Sequence, residues 1–293
     1  MKKIFLLSVL VSIFAFAGSI EPIQEIFEPQ GDFSEQTHWK VAVIQWNPTS
    51  SADVTWSPQQ AEEYKMQNRK DMEERIRIAA NNGAKYISLS EFAVTGYPDI
   101  PELRSEEDNF RSREDIQSLV ETVPGPSTQY FSLLAQQLGV WIQFGLAEVD
   151  EETNNYHNSA VVINDHGQIA AVYRKQHLFQ IEDKYLVPGN ENVTFDTPAG
   201  KFGLIICSDS YDYKVLELYK KAQVDVLSLS TSWAQYNTGM GYFKRAAQRA
   251  QSYLLAANQT YFPDSGVINK DGSVQSHIRQ SDDAIAYGYL PLK

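Results

Sequence analysis

The stretch Phe202-Gly203-Leu204-Ile205-Ile206-Cys207-Ser208-Asp209 is an apolar run that leads into the only cysteine of the 293-residue chain. A short apolar run of this kind is typical of a buried β-strand. In α/β sheets, functional residues commonly follow the carboxyl ends of the strands. Cys207 therefore lies where a nucleophile would be expected, although a free cysteine is also often a small buried hydrophobic residue.

Strand and helix patterns alternate on both sides of this run. Turn residues such as Asn82-Gly83 and Asp165-His166-Gly167 separate the segments. The patterns predict strands at 39–46, 84–91, 140–146, 158–164, 168–174, 203–207 and 224–230, and helices at 61–82, 127–137, 215–222 and 243–255. Interleaved strands and helices indicate an α/β fold. Since no linker is visible after residue 38, we expect one domain.

The first residues match the pattern of an export signal. Met1-Lys2-Lys3 precedes a short apolar run at 4–14, and Ala15-Phe16-Ala17 matches an Ala-x-Ala cleavage site. The run is short for a membrane span, but an uncleaved anchor or a buried N-terminal helix would give a similar pattern. We predict a signal peptide at 1–17, an N-terminal arm at 18–37 and a folded domain at 38–293. The protein would then be periplasmic or secreted, with no stable membrane span after cleavage.

Charge and histidine content argue against several classes of protein. The formal net charge is −12, which is unfavourable for binding nucleic-acid phosphates or an anionic membrane. The five histidines are scattered without the spacing of metal ligands. We therefore expect neither a metal nor a cofactor, and no nucleic-acid partner.

Three predicted strands are followed by residues that could act together. Glu91, Lys175 and Cys207 each come at or just after a strand end. A thiol becomes a nucleophile when a base removes its proton or a cation stabilises its thiolate. A carboxylate and an ammonium could fill these roles, so the set is sufficient for acyl transfer. Taken singly, however, a Glu or a Lys is usually part of a surface ion pair.

The segments around these residues resemble the nitrilase, or carbon–nitrogen hydrolase, superfamily. Leu89-Ser90-Glu91-Phe92-Ala93-Val94-Thr95-Gly96-Tyr97 is similar to the segment of its catalytic glutamate, Tyr173-Arg174-Lys175-Gln176-His177-Leu178-Phe179 to its lysine segment, and Gly203 to Asp209 to its cysteine elbow. The three occur in the order of the family. Gly145-Leu146-Ala147-Glu148, followed by Tyr156-His157-Asn158-Ser159-Ala160, resembles the segment of the second glutamate. Ser230-Thr231-Ser232-Trp233 and Ala256-Ala257-Asn258 resemble later family segments.

A finer resemblance points to the biotinidase and pantetheinase (vanin) branch. It rests on the segments 195–203 and 254–258. Two features differ from that branch: its members carry several cysteines, and the Glu91 segment of this chain looks more like that of bacterial amidases.

The resemblance implies a four-layer α-β-β-α sandwich, a homodimer and a small-molecule amide as substrate. By similarity, Glu91 is the base, Cys207 the nucleophile that forms a thioester, and Lys175 the stabiliser of the oxyanion together with the backbone N–H of Ser208. Glu148 would orient Lys175 or the substrate.

Other residues in these segments have two interpretations. The aromatic side chains of Tyr97 and Trp233 could line the pocket or belong to the core. His177 would permit a Cys–His dyad, but we interpret it as a structural histidine. We expect the substrate to be selected by the loops at 98–124 and 234–242.

Three other classes of protein share part of this pattern. An N-acyltransferase of the same fold would pass the thioester to an amine, and a binding protein would keep the fold without catalysis. A papain-like protease fits poorly, because Cys207 comes late in the chain and only His277 follows it.

Overall fold

The structure, a computed structural model, describes residues 25–98, 110–233, 235, 238–260, 263–280 and 283–293. The predicted signal peptide lies outside these ranges, as does part of each loop that was expected to select the substrate. Within the described ranges, no helix is long and apolar enough to cross a membrane.

The strands of the described residues form two sheets. Sheet A has the order β1-β13-β2-β3-β4-β5-β6 and sheet B the order β12-β11-β10-β9-β8-β7. Sheet A comprises β1 (Glu25–Phe27), β2 (His38–Gln45), β3 (Tyr86–Ser88), β4 (Trp141–Val149), β5 (Tyr156–Ile163), β6 (Ile169–Arg174) and β13 (Ala284–Pro291). Sheet B comprises β7 (Thr194–Thr197), β8 (Gly200–Ile206), β9 (Val226–Ser230), β10 (Tyr253–Ala257), β11 (Ser265–Ile268) and β12 (Val274–Ile278).

Helices α1 (Pro58–Asn81) and α3 (Pro126–Leu138) cover the outer face of sheet A, and α4 (Tyr213–Lys221) and α5 (Gly239–Ala250) cover that of sheet B. A short helix, α2 (Arg113–Ile116), lies between α1 and α3 in the chain. A capping box of Ser57 and Gln60 begins α1, and Gly139 in the left-handed conformation ends α3.

Two hydrophobic cores hold these layers together. In one, α1 and α3 pack on the outer face of sheet A through Met72, Ile76, Phe131 and Leu134. The other fills the space between the sheets and extends to α4 and α5. In sheet A, strand residues alternate between the two cores, as Val41, Ala42, Val43 and Ile44 of β2 do. The predicted four-layer α-β-β-α sandwich is confirmed.

Two segments differ from the sequence predictions. The helix predicted at 243–255 ends at Ala250, because Gln251 adopts a left-handed conformation with φ of 56°, and the chain continues into β10. The arm at 18–37 contains β1, which pairs in parallel with β13. The apolar pattern of 243–255 does not distinguish a helix from a helix followed by a buried strand.

The connections bring several strand ends to one edge. β2, β3 and β4 are parallel, and β6 runs in the same direction as β4 because each is antiparallel to β5. β8, β9 and β10 are parallel in sheet B. The loops after β3, β6, β8 and β9 carry the candidate residues.

Candidate active site

Cys207 lies on a strained turn directly after β8. Its φ is 42°, in the left-handed region that non-glycine residues rarely adopt, and a 3-10 turn of Cys207–Tyr211 follows. The buried carboxylate of Asp209 stabilises this turn. It accepts hydrogen bonds from the N–H of Ile206 (3.0 Å) and of His177 (2.8 Å), and from the Tyr173 hydroxyl (2.8 Å). The thiol is thereby held in a fixed position at the end of the strand.

Glu91 is buried in the loop after β3, with 2% of its surface exposed. Its Oε2 accepts a hydrogen bond from the backbone N–H of Ser232 (2.9 Å), which follows β9 in the other sheet. Its backbone carbonyl accepts one from the Gln259 side chain (2.9 Å). Gly145 on β4 permits this close approach, because a Cβ there would lie 2.7 Å from the Phe92 nitrogen. The carboxylate is therefore fixed from both sheets.

Lys175 joins Glu91 to a second buried carboxylate, that of Glu182. Its ammonium donates to Glu91 Oε1 (2.9 Å) and to Glu182 Oε2 (2.8 Å). Glu182 belongs to a 3-10 turn of Gln180–Lys184 and also accepts from the Phe179 N–H (2.7 Å). Burial opposes the charge of Lys175, but Glu182 and Glu91 outweigh it and hold the pKa of the ammonium well above its usual range. Lys175 is therefore a permanent cation in this cluster.

Asn158 on β5 completes the cluster. Its side-chain nitrogen donates to Glu91 Oε1 (2.7 Å) and lies 3.3 Å from Glu182 Oε1. The same two carboxylates are thus bridged twice, once by an ammonium and once by an amide. The site residues predicted from the sequence included neither Asn158 nor Glu182. The only hint of Asn158 was its place in the segment that follows the Gly145–Glu148 stretch.

The Cys207 thiol is protonated at neutral pH in this environment. Burial and then the Glu91 carboxylate raise the pKa of the thiol to about 12, against the opposing effect of Lys175. A protonated thiol is a poor nucleophile, so attack needs a base. Glu91 is the carboxylate with the largest effect on this thiol.

A cavity of about 410 Å³ opens at Cys207. Ser232 lines it beside the thiol, and since the N–H of Ser232 binds Glu91, the buried cluster lies directly behind this end of the cavity. The remaining described lining residues are mostly aromatic: Phe179, Tyr211, Tyr213, Trp233, Gln235 and Tyr242. The arrangement offers a nucleophile, a base and a cation at the end of a largely apolar space.

Glu148 is not the partner of Lys175 that the sequence predicted. Its carboxylate accepts hydrogen bonds from Ser159 (2.6 Å) and from Arg174 Nε (3.0 Å). Residues 142, 144 and 146 of β4 face α1 and α3, so Glu148 is on the same outer face of sheet A. Lys175 follows the inward-facing Tyr173 at strand spacing. The assignment of Glu148 to orient Lys175 is therefore wrong, and Glu182 holds that position.

The remaining predicted residues lie at different distances from the cavity. Trp233 is in its wall, whereas Tyr97 is buried behind Glu91 and packs against Phe92, with ring centroids 5.4 Å apart. Ser208 follows the nucleophile, and its hydroxyl donates to the His177 carbonyl. His177 pairs with Asp212 (3.0 Å) at the surface, as expected of a structural histidine.

Within the described ranges, no group of three or more His, Cys, Asp or Glu side chains could hold a metal ion.

Replacing Asn158 with leucine should lower kcat about tenfold to a hundredfold. The change removes the hydrogen bond to Glu91 and the longer one to Glu182. A hydrogen bond to a charged group is worth about 1.5–3 kcal/mol, and each 1.4 kcal/mol of barrier is about tenfold in rate. The measurement is steady-state amide hydrolysis together with thermal unfolding. Asn68→Leu is the matched control, since Asn68 is equally buried but donates to the Val94 carbonyl (2.9 Å), outside the cluster. Equal losses of kcat in both variants would contradict a positioning role for Asn158.

Comparison with known proteins shows extensive similarity. Residues 40–292 match the carbon-nitrogen hydrolase family. Omega-amidase NIT2 of Homo sapiens is 30% identical over 239 residues, which cover 74% of this chain and 80% of that protein. A nitrilase of Pyrococcus abyssi is 34% identical over 160 residues (54% of this chain, 55% of that protein), and a pantetheinase of Mus musculus is 28% identical over 233 residues (68% and 45%). The chain thus matches only about half the length of the last two.

Solved structures share the fold. An amidase from Nesterenkonia sp. superposes with a TM-score of 0.69 at 17% identity, covering 89% of this chain and 93% of that one. Nit3 of Saccharomyces cerevisiae, a member of the nitrilase superfamily, superposes with a TM-score of 0.67 at 20% identity, covering 87% and 90%. At these identities the likeness concerns the fold alone. The pantetheinase similarity is no higher than the omega-amidase similarity, so the branch within the superfamily stays a prediction.

Proposed function

Because the chain belongs to the carbon-nitrogen hydrolase family, we propose that it is an exported amidase that cleaves a non-peptide amide bond of a small molecule through a thioester on Cys207. The observation that carries this proposal is the buried cluster of Glu91, Lys175 and Glu182 directly behind the thiol. The Ala-x-Ala pattern at 15–17 supports export.

The first chemical step is attack by the thiol on the amide carbon. Glu91 takes the proton of Cys207 as the sulfur–carbon bond forms, and the carbonyl oxygen becomes an oxyanion. Donors that are already in place where charge develops stabilise such a transition state strongly. The Lys175 ammonium and the backbone N–H of Ser208 would provide this stabilisation.

Collapse of the oxyanion breaks the carbon–nitrogen bond. Glu91 returns its proton to the leaving nitrogen, which departs as ammonia or an amine and leaves an acyl thioester on Cys207. Water then attacks the thioester while Glu91 takes a proton from it. The carbon–sulfur bond breaks, Glu91 gives this proton to the sulfur, and the carboxylic acid leaves. No atom of the reaction requires a metal or a cofactor, because base, nucleophile and cation all come from the chain.

Glu182 and Asn158 would support this cycle without touching the substrate. Glu182 keeps Lys175 charged while Glu91 gains and loses a proton. Asn158 holds both carboxylates in place during the same change. In this scheme the ammonium remains a fixed cation from attack to release.

The volume and the lining of the cavity favour a small substrate with a planar or apolar part. A volume of about 410 Å³ is in the range of small-molecule sites. Five of the described lining residues are aromatic, and aromatic walls favour planar and apolar groups. An amine acceptor in place of water would make the protein an N-acyltransferase.

An amide panel tests the proposal. Purified protein without residues 1–17 would be incubated with short aliphatic amides, aryl-substituted amides, pantetheine, biotinyl amides and ureido acids, with and without an added amine. We expect release of ammonia or amine and formation of free acid. Transfer of the acyl group to the added amine in preference to water would favour the acyltransferase, and no product from any compound would contradict catalysis.

A further inference from the structure

The carboxylate of Asp264 lies at the start of α5, although Asp264 belongs to the loop before β11. Its Oδ2 accepts a hydrogen bond from the backbone N–H of Met240 (3.2 Å), and only 2% of its surface is exposed. Met240 is the second residue of α5, and its N–H is one that the side chain of an N-cap residue normally binds. A residue from a distant loop thus makes the hydrogen bond of a helix cap.

The residue at the N-cap position of α5 does not cap the helix. Thr238 occupies that position, but within the described part of the chain its side chain accepts no hydrogen bond from the first turn of α5. Its hydroxyl instead accepts one from the indole Nε1 of Trp233 (2.8 Å) and donates to the carbonyl of Gln235 (3.2 Å). Thr238 therefore holds the aromatic wall of the cavity, and the cap of α5 comes from Asp264.

The second oxygen of the Asp264 carboxylate is also bound. Its Oδ1 lies 2.7 Å from Nε2 of His277 on β12. The other ring nitrogen of His277 accepts a hydrogen bond from Arg279 Nε (3.2 Å), which leaves Nε2 as the nitrogen that donates to Asp264. The two oxygens of one carboxylate thus accept from two separate N–H groups, a task for which an asparagine side chain has only one oxygen.

The backbone of Asp264 is strained. Its φ is 142°, which lies in a region that residues other than glycine rarely adopt. Strained residues of this kind are concentrated at functional sites. A glycine would adopt this φ without strain. An aspartate at a position that suits glycine indicates that the carboxylate has a role of its own.

The first turn of α5 is in direct contact with the cavity wall. A Cβ on Gly239 would lie 3.3 Å from Cγ of Trp233, so the indole packs on this turn. The Trp233 ring also contacts Phe243 and Tyr242 of α5, with ring centroids 5.4 Å and 4.9 Å apart. Because Trp233 lines the cavity at Cys207, a displacement of the first turn of α5 would displace the wall.

We propose that Asp264 is a positioning residue for the aromatic wall of the cavity. It caps α5 in place of Thr238, and this cap keeps Trp233 where it contacts the group attached to the reacting amide. The inference rests on the proposed function only in that the substrate binds in this cavity. Loss of the carboxylate should therefore affect compounds that reach Trp233, and it should spare compounds that reach only the thiol.

Labelling of Cys207 by two reagents tests the inference without turnover. Iodoacetamide reaches the thiol, and N-benzyliodoacetamide adds a ring that occupies the aromatic cavity. Because Cys207 is the only cysteine of the chain, mass spectrometry of the labelled protein reports on this site alone. We expect the ratio of the two rates, N-benzyl over unsubstituted, to fall about threefold to tenfold in Asp264→Asn, as for the loss of one aromatic contact. An unchanged ratio would overturn the inference.

A second variant separates the carboxylate from the backbone. Asp264→Asn keeps the size of the side chain and removes one acceptor. Asp264→Gly removes the side chain and relieves the strain at a φ of 142°, so it gives a clear result even where Asp264→Asn folds poorly. Both variants should lower the ratio. If Asp264→Gly labels with the ratio of the unmutated protein, the carboxylate has no effect on the wall.

Ser57→Ala is the matched control, because it removes the N-cap of α1, which packs on the other sheet. We expect this variant to unfold at a temperature about 2–4 °C lower, as is usual for the loss of a cap, and to keep the ratio of labelling rates. An equal fall of the ratio in Ser57→Ala and Asp264→Asn would contradict a positioning role and show a general effect of lower stability.

Hydrogen exchange of the free protein is a measurement that needs no ligand. Peptides that contain Met240 should exchange faster in Asp264→Asn than in the unmutated protein, because the first turn of α5 loses its cap. Peptides of α1 should exchange at the same rate in both. Equal exchange at Met240 would overturn the inference. Failure of the proposed amidase function would look different, since the unmutated protein would then release no product from any amide.

Discussion

Replacing Cys207 with alanine is expected to abolish amide hydrolysis, with a loss of kcat on the order of 10⁴-fold or more. The proposed thioester cannot form without the sulfur. Neither Ser208 nor Ser210 is a substitute, because neither is among the described residues that line the cavity at Cys207. The measurement is product release at saturating substrate. Mass spectrometry of quenched unmutated protein should also show the acyl group on the cysteine peptide.

The fold must survive for this result to be informative. Thermal unfolding should show only a small change, since alanine removes one sulfur atom from a buried site. Because Cys207 is the only cysteine in the chain, alkylation gives an independent test: loss of activity should follow the uptake of one label per chain. Activity that persists after complete labelling would show that the nucleophile is a different group.

Replacing Lys175 with methionine should cost about 3–5 kcal/mol of the free energy of unfolding and most of the activity. The change leaves Glu91 and Glu182 buried without the ammonium that lies 2.9 Å and 2.8 Å from their oxygens. It also removes the cation opposite the oxyanion, for which a loss of about 10²–10³ in kcat is typical. Chemical denaturation and kinetics on the folded fraction would measure the two effects.

Lys65→Met is the matched control for this experiment. Lys65 on α1 is also buried between two carboxylates, at 3.2 Å from Glu121 and 3.3 Å from Glu62, but it lies outside the cluster behind the thiol. We expect it to lose stability and to keep its kcat per folded molecule. If Lys175→Met were destabilised to the same extent as Lys65→Met but retained full kcat, Lys175 would have no part in catalysis.

The sequence predicted that Glu91, Lys175 and Cys207 act together for two reasons. Each comes at or just after a predicted strand end, and the segments around them resemble those of one superfamily in the same order. Parallel strands end at the same edge of their sheet, so residues far apart in the chain can meet there. Glu182 had no such marker. It lies in a short 3-10 turn between a strand and an irregular loop, where neither the period of a helix nor that of a strand identifies a buried side.

Glu148 was misassigned because the side of a strand depends on its register. β4 extends to Val149, three residues further than its apolar pattern indicated. Counting along this longer strand places Glu148 on the outer face of sheet A, opposite Arg174 rather than Lys175. Arg174, the last residue of β6, and Lys175, which follows it, thus bind different glutamates on opposite sides of the sheet. A pattern of residue types does not contain this information.

The position of β13 has a consequence for how the protein is made. This strand lies between β1 and β2 and pairs with β2 along its whole length, so sheet A joins residues 38–45 to residues 284–291. Contacts of such long sequence separation form slowly. Until residues 284–291 leave the ribosome, this edge of β2 has no partner and is open to association with other chains. Deleting residues 284–291 would therefore impair folding and solubility, even though every residue of the candidate site would still be present.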